Sequence, residues 1–293
     1  MGTFIQLVVD GLGMGSVYAA LGLAIVIVNQ STGMINFAQG GMAVLSAYFV
    51  FALVGVGLPL IVAILLAIVA AFLLGAFLER VLIRRFEGGD PDTAIVVTVG
   101  LLTLITGVCG AIWSYNNLHL PWLFPPESFS VLGASVSWRS LGTFLVILAC
   151  MILIQVLFRG TKLGLALRAV ADNPAAAALA GVPVGRLLMV GWGLAAALGA
   201  VAGALIAPRL SLTPGMLDTV LVYALAAVIL GGLSSPIGVV VAAWAIGVIE
   251  NLAAVYVPFV GHDLKIAVPF VFLFIVLLVR PQGLFGRKTV VRV

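Results

Sequence analysis

Residues 158–187 read FRGTKLGLALRAVADNPAAAALAGVPVGRL, the most polar segment between two long apolar runs. Asn173 followed by Pro174 is a helix N-cap and first-turn signal, and Gly181 with Pro183 beyond it is a stop, so residues 174–180 read as a short helix. That helix carries almost only alanine. A short, bare helix flanked by Arg159, Lys162, Arg168 and Arg186 is marginal alone in water and needs a surface to pack on. Residues 159–186 therefore read as a docking element, and its surroundings decide the fold.

Those surroundings are apolar. Of 293 residues, 63% are hydrophobic and 8% charged, and the mean hydropathy of +1.31 is far outside the range of soluble globular domains. No charged residue lies between Asp10 and Glu79, and further uncharged runs cover 93–126, 140–158, 187–208 and 219–249. A helix crosses the roughly 30 Å hydrocarbon core with about 20 residues. Barrel strands would alternate over about ten residues, whereas these runs are continuous, so the expected fold is an all-α polytopic membrane protein forming a single transmembrane domain over 1–293.

The runs divide into nine crossings. Residues 8–28 form the first, and Gly11 and Gly15, four apart, give it a face for close helix approach. The polar, uncharged stretch 29–41 then reads either as a tight cytoplasmic turn or as a discontinuous helix lining a cavity. Crossings follow at about 42–56, 60–78, 94–113, 141–158 and 188–207, the last with Gly199 and Gly203 as a second close-packing face. Residues 219–258 suffice for two crossings broken at 231–238, and a ninth starts near Lys265 and ends at Arg280. The loop 114–139 scatters Trp113, Tyr115, Trp122, Phe124 and Trp138, which belong at a membrane surface.

Basic residues orient this arrangement. With the N-terminus outside and the C-terminus inside, Arg80, Arg84, Arg85, Arg159, Lys162, Arg168, Arg186, Arg280, Arg287, Lys288 and Arg292 are cytoplasmic, eleven of fourteen. Arg139, Arg209 and Lys265 are external. An eight-span arrangement would put the C-terminal basic cluster outside, against the rule. The net charge of +4 thus reports orientation and gives no case for nucleic acid. No Lys or Arg precedes Arg80, so a basic signal-peptide region is missing and the first run is expected to remain as a span.

The sequence has no glycine-lysine phosphate loop, no His/Cys cluster with metal spacing, and no nucleophile with a base, which argues against an enzyme and against a bound metal or cofactor. Cys109 and Cys150 fall inside spans and read as packing residues, and His119 and His262 as solvated loop residues. Glu250, followed by Asn251, is the acidic residue deep in an apolar run. It reads either as part of a proton relay or polar path, or as a carboxyl hydrogen-bonded to a neighbouring helix near the outer boundary. Asn36 and Gln39 are further path candidates, since uncharged amides can hold a zwitterion without a counter-ion.

Four stretches together resemble the permease subunits of bacterial branched-chain amino acid ABC importers, a family that includes permeases for urea and short amides. They are Gly33, Met34, Ile35, Asn36, Phe37, Ala38 and Gly40; Thr98 to Leu101; Gly164 to Val182; and Arg280 to Leu284. The pattern departs at Gln39, where the family has His, and at Gly41, where it has Glu. The resemblance implies a chain in the bacterial inner membrane that pairs with a second, similar permease, with two ATPase subunits that use ATP and Mg, and with an external solute-binding protein. It implies that Arg168, Asp172, Asn173, Pro174, Ala177 and Gly181 belong to a coupling helix seated in the ATPase, and that Arg139, Arg209 and Lys265 meet acidic groups of the binding protein. A secondary transporter or channel with its own coupling ion is the second reading.

Overall fold

The computed structural model describes residues 2–86, 91–131, 134–233, 235–258, 264–280 and 284. The loop residues 87–90, His262, the Pro281, Gln282 and Gly283 of the C-terminal motif, and Arg287, Lys288 and Arg292 lie outside the described residues.

Eleven α-helices run along the described chain: α1 (Gly2–Thr32), α2 (Gln39–Gly55), α3 (Leu60–Val81), α4 (Pro91–Trp113), α5 (Trp138–Gly160), α6 (Lys162–Asp172), α7 (Pro174–Leu179), α8 (Val184–Leu210), α9 (Asp218–Gly231), α10 (Pro236–Tyr256) and α11 (Ala267–Val279). Among them α1, α3, α4, α5, α8 and α10 are long and apolar enough to cross a membrane, and α2, α9 and α11 are shorter apolar helices. The wholly helical expectation needs one correction. Residues 114–137 hold an antiparallel hairpin, β1 (Ser128–Val131) with β2 (Ala134–Ser137), in which Phe129 faces Val136. Its SFSV and ASVS alternate polar and apolar residues with the period of a strand. Mutual backbone hydrogen bonds between Leu118 and Leu212 tie this loop to the α8–α9 turn.

The axis of the bundle is α1. Residues 17–28 are all buried, because α10, α8, α5 and α9 surround them. A helix apolar on every side has no face to give to water. Its 31 residues cover about 46 Å at about 1.5 Å each. Close approach to α10 rests on glycine from both sides: a Cβ on Gly11 would lie 2.7 Å from Val248 Cα, and one on Gly247 only 2.3 Å from the Gly11 carbonyl oxygen. Gly15 meets the Ala243 carbonyl in the same way.

The helix α3 shows the membrane-facing logic most plainly. Ala63, Ala67, Ala71, Gly75 and Glu79 repeat every fourth residue and are buried, while Ile61, Leu65, Val69, Leu73 and Phe77 repeat on the other side and are exposed. Small residues inside and large apolar ones outside is the arrangement that lipid allows. Gly75 sets α3 against the Trp192 backbone of α8.

Two connections end inside the bundle. Gln39, the first residue of α2, hydrogen bonds to Ala195 near the middle of α8, and Gly40 abuts Leu221 of α9. Residues 33–38 therefore form an unwound segment that starts exposed at Gly33 and turns inward, with Asn36 and Ala38 buried. The second break follows α9, where a Cβ on Gly231 would overlap the backbone of Gly238. Ser235 caps α10 by accepting from the Gly238 N–H at 3.1 Å. Unwound backbone at such depth survives only where protein encloses it.

Gly247→Val is expected to destabilise the protein by about 3 kcal/mol or to prevent its accumulation, since the new side chain meets backbone. Gly100→Ala, with open space around its Cβ, is expected to melt at the wild-type temperature or slightly higher; thermal unfolding in detergent checks both.

Candidate functional site

The polar island folds as two helices in sequence. Thr161 caps α6, its hydroxyl accepting from the Gly164 N–H at 3.0 Å and donating to the Leu157 carbonyl at 2.6 Å. Gly164 lies so close to Leu157 and Phe158 that no Cβ fits. The α6 helix is amphipathic, with Gly164, Leu167 and Val170 buried. Asn173 closes α6 and starts α7, its Oδ1 accepting from the Ala176 N–H at 2.9 Å, with Pro174 in the first turn. At the far end the Val182 N–H reaches the Ala177 carbonyl and the Gly181 N–H reaches Ala178. Gly181, at φ +81°, completes this left-handed stop, where other residues are strained.

Within α7 the sides differ. Ala177 is turned inward and buried, while Leu179 is 91% exposed. Ala177 is thus packed within this chain, and the tip of α7 offers Leu179 instead. Arg168 and Asp172 line an adjoining cavity of about 490 Å³ together with Asn29, Gln30 and Gly33 from the end of α1. Of the coupling candidates, Arg168 and Asp172 line this cavity, while Asn173, Pro174 and Gly181 start and stop α7.

Beside it an ion pair joins α3 to α8. Arg84 donates to both carboxylate oxygens of the fully buried Glu79, at 3.0 and 2.8 Å, and to the Gly185 carbonyl at 2.6 Å. Gly185 lies in the first turn of α8, directly after α7. Arg84, read from the sequence only as a cytoplasmic charge, is thus engaged on both sides. Glu79 five residues before Arg84 was the available signal.

The path candidates are enclosed. Asn36 Oδ1 accepts from the Ala38 N–H at 2.9 Å, and its amide lies 3.4 Å from Gln39 Oε1. The Gln39 amide donates to the Ala195 carbonyl at 2.9 Å. Both side chains are fully buried, holding the α1–α2 break together, and neither is open to a solute in this conformation.

Glu250 is paired rather than free. Its Oε2 accepts from the Tyr18 hydroxyl at 2.9 Å and its Oε1 lies 3.3 Å from Lys265 Nζ. Lys265 also donates to Asn251 Oδ1 at 3.3 Å, and the Asn251 amide reaches the Leu7 carbonyl at 3.4 Å. A buried carboxylate needs such a counter-charge. Lys265, expected on the outer surface, is turned toward α10. Tyr18, 232 residues from Glu250 in the chain, gives no sequence signal beyond a hydroxyl in an apolar run.

Arg139 and Arg209 sit at the end of the bundle opposite α7. Arg139 lies over the Trp122 ring at 4.0 Å, a cation–π contact. Of the five aromatics expected at the surface, Trp113 stacks on Tyr48 and Phe124 fills the space at Gly142; Tyr115 and Trp138 are exposed.

The profile of the family described as branched-chain amino acid transport system / permease component matches residues 7–278. The chain belongs to this family. The permease protein LivH of the high-affinity branched-chain amino acid transport system of Escherichia coli (strain K12) is 29% identical over 99% of this chain and 98% of its own length. BraD of Pseudomonas aeruginosa, a permease protein of the corresponding system, is 28% identical over the same shares. A probable LivH from Methanocaldococcus jannaschii is 29% identical over 82% of this chain and 77% of its own. Among solved structures, PsaBC from Streptococcus pneumoniae in complex with Fab covers 94% of this chain and 91% of that one at TM-score 0.46 and 17% identity, a likeness too distant to carry over. The match runs from α1 into α11 and so includes the residues of α6 and α7.

Removing the Arg84 guanidinium leaves Glu79 buried and unpaired. Arg84→Ala is expected to cost roughly 3 kcal/mol, and Arg84→Lys, which keeps the charge but loses the two-pronged contact, about half of that. Denaturation of the purified protein in detergent measures the difference.

Proposed function

We propose that this chain is the membrane-spanning permease subunit of an ATP-driven importer that moves branched-chain or related amino acids into the cytoplasm by alternating access. The single observation that carries the reading is the exposed tip of α7, a capped and stopped six-residue helix that buries only Ala177 and leaves Leu179 91% exposed. Such an apolar tip suits a groove on another protein. Family membership and the names of the relatives supply the class of solute.

In this proposal α2, α9 and α11 complete nine crossings with the six long helices, the N-terminus is outside and the C-terminus inside the bacterial inner membrane. The partners are a second, similar permease subunit, two ATP-binding subunits that use ATP and Mg, and an external solute-binding protein that docks on the end of the bundle that carries Arg139 and Arg209. Closure of the ATPases displaces α7. The displacement passes to α5 through the capped, glycine-tight α5–α6 corner, and to α3 through Gly185 and the Arg84–Glu79 pair. Helices joined so firmly move as bodies and rock between inward and outward access. Gln39 joins the start of α2 to the middle of α8. The ion-coupled alternative is not favoured, because Glu250 is already engaged by Lys265 and Tyr18.

Reconstituted with its partners, the wild-type protein is expected to take up leucine only with ATP. Leu179→Glu is expected to cut that uptake more than tenfold while the protein still accumulates and melts normally. Ala177→Glu, by contrast, is expected to lose the folded protein. Uptake by the isolated chain along an ion gradient would overturn the reading, as would full activity of Leu179→Glu.

A further inference from the structure

At the end of the bundle remote from α7, a cavity of about 210 Å³ opens between α1, the first turns of α5 and the last turn of α8. That volume equals about seven waters at about 30 Å³ each. Its floor is apolar, formed by Val17 and Leu205, and its polar wall carries Asp10, Ser140, Arg139 and Arg209. Asp10 Oδ1 accepts from the Ser140 hydroxyl at 3.2 Å. Among the described residues no ion pair joins Asp10 to either arginine, or either arginine to another carboxylate. The buried Nε of Arg139 has no hydrogen-bond partner. The guanidinium lies over the Trp122 ring, while the backbone of Arg139 is fixed by its N–H donating to Ser137 Oγ at 3.2 Å and its carbonyl accepting from Thr143 Oγ1 at 2.8 Å.

Opposite charges on one small cavity ordinarily close on each other. Here they are kept apart, so two cationic donors and one anionic acceptor face a common space. A simple anion would leave Asp10 unpaired beside it, and a simple cation would meet two guanidiniums. A molecule with a carboxylate and an ammonium a few ångströms apart satisfies all three, since guanidinium matches carboxylate geometry and carboxylate accepts from ammonium. The apolar floor suits a branched aliphatic side chain. A phospholipid headgroup offers a similar pair of charges, but its two acyl chains have no place over a floor closed by Val17 and Leu205, both buried.

We propose that this cavity binds a free α-amino acid, its carboxylate held by Arg139 and Arg209, its ammonium by Asp10, and its side chain against Val17 and Leu205. The inference rests on the importer reading for the side from which the amino acid arrives.

The test is titration of leucine into the assembled permease complex in nanodiscs, without ATP or binding protein. Saturable binding is expected. Arg209→Gln and the isosteric Asp10→Asn are each expected to weaken it more than tenfold, and leucinol, lacking the carboxylate, and 4-methylpentanoate, lacking the ammonium, to compete more than tenfold less well. Nanodiscs of phosphatidylglycerol and of phosphatidylethanolamine are expected to give the same affinity. No saturable binding, equal affinities across the variants, or leucine binding that vanishes when phosphatidylethanolamine is present would overturn the site; the last would assign the cavity to a lipid headgroup. ATP-driven leucine uptake is measured on the same complex. Uptake with no binding at the cavity removes the site and leaves the importer reading standing, whereas binding without ATP-driven uptake supports the site and removes the importer.

Discussion

Two helix backbones touching without water between them is the contact on which the bundle depends. Gly11 and Gly15 of α1 face Gly247 of α10 at distances that admit no side chain. In an apolar medium helices gain little from hiding apolar surface, so their association rests on close van der Waals contact and on polar links between them. With α10 so near, α1 can be ringed by α8, α5 and α9 as well. The same rule recurs where Gly75 meets α8 and where Gly203 of α8 meets the Ala43 carbonyl of α2. The large apolar side chains are left to face outward, as on α3.

A bundle built this way carries few buried polar side chains, and most of those described are engaged. Asn36 and Gln39 hold one internal break, Ser235 caps the other, and Glu250 is matched by Tyr18 and Lys265. Glu79 is matched by Arg84 at the α6–α7 end. The Gln39–Ala195, Tyr18–Glu250 and Arg84–Gly185 contacts join segments distant in sequence. Packed interfaces with discrete partners shift between arrangements rather than deform continuously, which is the behaviour alternating access demands. Asp10, Arg139 and Arg209 share one cavity without an ion pair among them, unlike Glu79 and Glu250.

Much of the fold is legible in the residues. Uncharged runs of about twenty mark the long helices, Gly11 and Gly15 mark a close-packing face, and Asn173, Pro174 and Gly181 mark α7 with its correct start. What escapes is whatever depends on distant partners. Nothing local says that Gly11 meets Gly247, that Lys265 turns back to Glu250, or that Arg84 reaches Gly185. The α6 helix escapes for another reason: KLGLALRAVAD has its apolar stripe, but the charges beside it make the segment read as one polar island. The inward side of α7 cannot be read from a nearly all-alanine stretch, so neither the burial of Ala177 nor the exposure of Leu179 is legible in the sequence. The hairpin's alternation is present in SFSV and ASVS, though eight residues within a long loop are a weak signal beside runs of twenty.

The account turns on α7 presenting Leu179 to a cytoplasmic ATPase. With Cys109 and Cys150 replaced by serine, Leu179→Cys places one thiol at that tip. Disulfide or short-linker cross-linking in membranes that contain the ATP-binding subunits measures the contact directly, and labelling by an impermeant maleimide in right-side-out and inside-out vesicles measures the side. The account predicts a cross-link to the ATP-binding subunit whose yield changes with ATP, and labelling only in inside-out vesicles. Labelling from the outer face, or no cross-link at any nucleotide state, would contradict it.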